Sequence, residues 1–118
     1  MRGNWVLQGK KKLELINNYV DIFKILFWCK QKLYLASNLD DAIFLNQTLE
    51  QTLNLKASYE QIFDKLKMYD TSFLVLKRDL EYSLKKPTSI NLLTLTNDWI
   101  DTKKIKIETD LKSATSWL

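Results

Sequence analysis

The chain has 118 residues, 46% of them hydrophobic, and a net charge of +4. That length suits one domain, able to bury roughly 65% of its unfolded surface and far too apolar for a disordered polymer. Histidine is absent, there is one cysteine and one proline, and both glycines fall within the first nine positions. Histidine-based triads, Cys/His zinc sites and glycine-rich phosphate loops are thereby excluded.

With so few glycines and prolines to turn the backbone, hairpins and sheet corners are not expected. The fold implied is all-α: an antiparallel helical bundle of three long helices plus one short helix, in a single domain over 1–118. The apolar spacings place the helices at about 7–36, 39–69, 72–85 and 89–117.

In the first helix Ile16, Val20, Phe23 and Phe27 follow 4-3-4 spacing, beside a parallel row of Leu15, Tyr19, Ile22, Leu26 and Leu33. Two adjacent rows make a wide apolar face, as for a helix with at least two neighbours. Asn38 is a suitable N-cap for the second helix, with Asp40 and Asp41 where carboxylates suit the helix dipole. Leu45, Leu49, Thr52, Tyr59, Phe63 and Leu66 form its inner stripe. Asp70-Thr71-Ser72 offers the next cap, although without glycine or proline there the second and third helices can also be read as one bent helix. The third helix carries Phe73, Leu76, Leu80 and Leu84 and ends before Pro87, which disfavours helix at the residue preceding it. Thr88 or Ser89 is the expected cap of the last helix, where Leu93, Ile100, Ile107 and Ala114 recur every seven residues. The short third helix cannot match three long ones, so one end of the bundle is expected to be incomplete.

Charge is unevenly distributed. Residues 1–36 hold seven basic and two acidic side chains, whereas residues 37–70 hold three basic and six acidic. The contrast favours pairing of the first two helices. Cys29 has no partner for an internal disulfide and reads as a small buried hydrophobe. No apolar run is long enough to span a membrane, and the start of the chain lacks the layout of a secretory leader. A cytoplasmic location is the expectation.

These features point away from an enzyme, with no cofactor and no metal expected, and toward a non-enzymatic interaction or scaffolding subunit that docks into a larger assembly. Its partner would be another protein or a second copy of the chain. At 100° per residue, Asp21, Ile25, Trp28 and Lys32 share one ridge on the polar side of the first helix. A tryptophan there is either covered by the fourth helix or serves as a docking anchor. The alternative function is sequence-nonspecific binding of a nucleic-acid backbone, as a small subunit of a nucleoprotein complex. Its candidate residues are Lys10, Lys11, Lys12, Lys77, Arg78, Lys85, Lys86, Lys103, Lys104 and Lys106. The scarcity of arginine argues against base reading.

Overall fold

The computed structural model describes residues 2–86 and 95–116, with side chains from residue 9 onward. Four helices run in order: α1 (Arg2–Leu35), α2 (Leu39–Lys65), α3 (Thr71–Lys85) and α4 (Asn97–Thr115). At 1.5 Å per residue they are about 51, 40, 22 and 28 Å long. α1 therefore sets the longest dimension of a molecule measuring 55 × 26 × 22 Å. The all-α bundle implied by the composition is what forms. Among the described residues no helix is long and apolar enough to cross a membrane.

Local chemistry fixes the turns. The Asn38 side chain accepts a hydrogen bond from the Asp41 amide at 2.9 Å and starts α2. Asp70 does the same for the Phe73 amide at 2.8 Å and starts α3. Between them α2 stops at Lys65, earlier than the expected 69. The Met68 amide donates back to the Phe63 carbonyl at 2.9 Å and the Lys67 amide to the Asp64 carbonyl at 3.2 Å. This is a Schellman closure, and it puts Lys67 at φ 54, a position normally filled by glycine. α2 and α3 are thus separate helices, and the reading as one bent helix is set aside.

α4 is shorter than expected. Leu95 and Thr96 are not helical, and the Thr96 hydroxyl caps the helix by accepting from the Trp99 amide at 3.1 Å. The expected caps Thr88 and Ser89, and Leu93 of the seven-residue pattern, lie outside the described residues. The remaining pattern holds: Ile100, Ile107 and Ala114 are all buried. α1 begins at Arg2, before the expected start at 7, and runs through Gly9, whose cost of about 1 kcal/mol relative to alanine does not break it.

α1 is the hub. It packs against α2, α3 and α4, and α2 also packs against α4. Paired contacts give the directions. Asn18 meets Tyr59 and Tyr19 meets Phe63, so α1 and α2 are antiparallel. Tyr19 meets Phe73, and the Lys30 ammonium donates to the Leu84 carbonyl at 2.6 Å, so α3 runs parallel to α1. Asn18 meets Asp110 and Asp21 meets Lys103, so α4 runs antiparallel to α1. On α1 the row facing α3 (Tyr19, Phe23, Lys30) and the row facing α4 (Asn18, Asp21, Ile25, Trp28) lie on nearly opposite sides by helix geometry. α3 and α4 therefore flank the α1/α2 pair.

The α3 flank is aromatic. The Tyr19 ring lies 5.2 Å from Phe23, 5.2 Å from Phe63 and 5.7 Å from Phe73, and Phe63 lies 4.9 Å from Phe73. Most of these pairs are edge-on, the arrangement ring quadrupoles prefer. The α4 flank carries a polar pin. Buried Asn18 donates to the Tyr59 hydroxyl at 3.2 Å and to Asp110 at 2.7 Å, while the Tyr59 hydroxyl donates to the Ile107 carbonyl at 2.6 Å. Each buried polar group there has a partner, as burial requires.

Candidate docking site

Residues 34–44 span the end of α1, the turn and the first turns of α2. Here, among the described residues, the hairpin outgrows α3 and α4. α3 reaches α1 only as far as Lys30, which caps its C-terminal carbonyls by donating to Leu84 at 2.6 Å and to Lys86 at 3.0 Å. α4 begins at Asn97, which shares a cavity wall with Trp28 and Phe44. Beyond those levels Tyr34, Leu35, Leu39, Ile43 and Phe44 are all exposed, Tyr34 at 90% and Leu39 at 74%. A groove of about 360 Å³ opens beside Leu35 and Phe44, while Tyr34, Leu39 and Ile43 are not part of its lining. Trp28 forms its floor, Leu35 and Phe44 line its walls, and Asn97 closes one side. Lys32 from the last turn of α1 and Asp41 from the first turn of α2 put opposite charges along it.

The ridge Asp21, Ile25, Trp28 and Lys32 is not the exposed face it resembles on a lone helix. Ile25 is completely buried and Trp28 is 3% exposed. Lys103 of α4 lies over the ridge, 3.4 Å from Asp21, and Lys24 pairs with Asp21 at 3.7 Å. The reason is that α1 has three neighbours, so Ile22 and Phe23 and the whole run Ile25–Cys29 are buried. Trp28 is a core residue and not a projecting anchor. Its indole Nε1 has no hydrogen-bond partner among the described residues, and the Lys32 ammonium sits 5.8 Å from its ring centroid. Trp28 and Lys32 nonetheless belong to the groove, as floor and rim.

The candidate nucleic-acid residues are dispersed. Lys77 is held by Glu60 at 3.3 Å, Arg78 pairs with Asp79 at 3.7 Å, and Lys86 lies over Tyr82. Lys104 donates to Gln51 at 2.7 Å and Lys106 to Asp110 at 2.7 Å, while Lys103 is taken by Asp21. Lys77, Arg78, Lys85 and Lys86 belong to the α3 flank. Lys103, Lys104 and Lys106 belong to the α4 flank. Lys10, Lys11 and Lys12 lie toward the start of α1, away from the 34–44 end. The fold does not gather them into one stripe.

Titratable groups inside the bundle serve its cohesion. Burial pushes Glu60 upward, but the Tyr19 hydroxyl at 2.9 Å and the ammoniums of Lys56 and Lys77, each at 3.3 Å, outweigh it and hold the carboxyl below its usual range. Asp110 follows the same balance: burial raises it, and hydrogen bonds from Lys106 and Asn18 bring it down. Burial also raises the Tyr19 and Tyr59 hydroxyls. The Cys29 thiol is pushed up to about 11 by burial, with Lys104 opposing, which suits its reading as an inert core side chain.

An incomplete end was expected from the short third helix, but the residues it exposes were not named. Their signal is that Ile43 and Phe44 fall off the Leu45–Leu49–Thr52 stripe and Leu39 directly follows the cap. No protein-family model, curated protein sequence or solved structure matches the chain.

Proposed function

We propose that the protein is a non-enzymatic interaction module whose α1–α2 end docks into a larger assembly. The observation that carries this reading is the groove over Trp28 whose walls include exposed Leu35 and Phe44. Exposed apolar side chains around such a groove commonly mark contact sites. The rest of the molecule supplies a rigid handle, with its aromatic and polar pins well away from this end.

The test compares affinity capture from the native cell by the full chain and by Leu35→Ser/Phe44→Ser. The wild type is expected to retain a specific binding partner that this double variant loses. Leu74→Ser, on the exposed side of α3, should keep it. Equal recovery by both variants would sink the reading.

A further inference from the structure

We propose that a hollow between α1 and the start of α3 binds a single-chain anionic amphiphile of the fatty-acid class. It lies at the end of the bundle opposite Leu35 and Phe44.

The hollow measures about 320 Å³, at the small end of the range for ligand pockets. α1, the α2–α3 turn and α3 each supply a wall. Ile16, Met68, Phe73 and Leu76 make the lining apolar, and Met68 and Phe73 belong to the buried core. A concave space of this size takes one aliphatic chain; a partner helix, about 10 Å across, does not enter it.

Lys12 of α1 and Lys67 of the turn also line the hollow. Among the described residues neither ammonium has an ion-pair or hydrogen-bond partner, whereas Lys24, Lys56, Lys77, Lys103 and Lys106 are each held by a carboxylate. Two unmatched ammoniums beside an apolar lining fit an anionic head with an apolar tail. Lys67 holds its place at a backbone cost. Its φ of 54 is one that glycine adopts without strain, and glycine would bring no charge to this rim. Asp70 on the same rim opposes an anion, but the two lysines outnumber it. Its carboxylate already caps α3 by accepting from the Phe73 amide at 2.8 Å, so the attraction comes from the lysines and not from the helix end.

Calorimetric titration of the full chain with octanoate, octanol, octylammonium and acetate tests the proposal. One octanoate per chain is expected, bound about tenfold or more tighter than octanol, as a hydrogen bond to a charged group supplies. Acetate and octylammonium should bind more weakly still. Lys12→Gln should weaken octanoate about tenfold and leave octanol unchanged. Lys67→Gly should do the same while raising the melting temperature, so that its loss of binding is not a loss of fold. Leu35→Ser/Phe44→Ser should bind octanoate like the wild type, which separates this site from the docking groove.

Octanol bound as tightly as octanoate overturns the proposal, as does undiminished affinity in Lys12→Gln or Lys67→Gly, or loss of binding in a folded Leu35→Ser/Phe44→Ser. So does a chain that octanoate never saturates, including one that instead sediments with phosphatidylserine vesicles.

Discussion

Around Tyr19, rings from α1, α2 and α3 sit 4.9–5.7 Å apart, and Glu60 gathers Tyr19, Lys56 and Lys77 beside them. At the α1–α2 end, Tyr34, Leu39 and Phe44 are just as large and are left in solvent. The residue types are alike; what differs is the number of helices alongside. At Tyr19 the hairpin has a third and a fourth helix against it, whereas past Lys30 it has outlasted both described helices. For Tyr34, exposure comes from α3 ending at the level of Lys30.

That contrast is most sharply broken by Phe63→Ala. Phe63 is fully buried against Tyr19, Tyr59 and Phe73, and its truncation should cost about 3–5 kcal/mol, read by urea denaturation. A loss under about 1 kcal/mol would mean the aromatic junction is not the core. Next comes Asn18→Ala, which removes the link from α1 to Tyr59 and Asp110. A loss of about 1–3 kcal/mol is expected, with α4 amides exchanging hydrogen faster than those of α3.

Lys67→Gly should act in the opposite direction. Relieving a left-handed residue at the α2 C-terminus should stabilise the protein by about 1 kcal/mol, visible as a higher melting temperature. An unchanged or lower value contradicts the turn as described. Glu60→Gln probes the same junction through pH. The Glu60 carboxyl is held below its ordinary value of 4.5. Its contribution is therefore complete above that pH and fades as acid takes it through the lower folded value. The variant should show a shallower loss of stability below about pH 4.5 than the wild type; parallel curves would remove Glu60 from the account. The smallest effect belongs to the other end, where Tyr34→Ser should change stability by less than about 0.5 kcal/mol. A larger loss would mean this end is part of the core.

Much of this architecture is legible in the residues. Asn38 and Asp70 announce their caps, and Ile100, Ile107 and Ala114 announce the buried side of α4. The site is less so, for a geometric reason. A helical wheel for α1 shows that Trp28 lies off the main apolar rows, but it does not show that a third neighbour waits there. The end of that cover is equally hidden. The seven-residue pattern runs smoothly back to Leu93, and only the Thr96 cap shows that α4 starts at Asn97, level with Trp28, and so leaves Leu35 and Phe44 bare. Lys67 misled for a local reason, since a Schellman turn built on lysine carries no glycine to mark it.

Because α1 touches every other helix, its burial is finished by the last of them. The Asn18–Asp110 bond joins positions 92 apart, and Ile25 and Trp28 also wait for α4. During translation the sides of α1 facing α2 and α3 can therefore be covered before the side facing α4, which stays open until α4 has left the ribosome. Such late, long-range closure slows folding and lengthens the interval in which a nascent chain can aggregate. Cells making this protein have reason to shield α1 first.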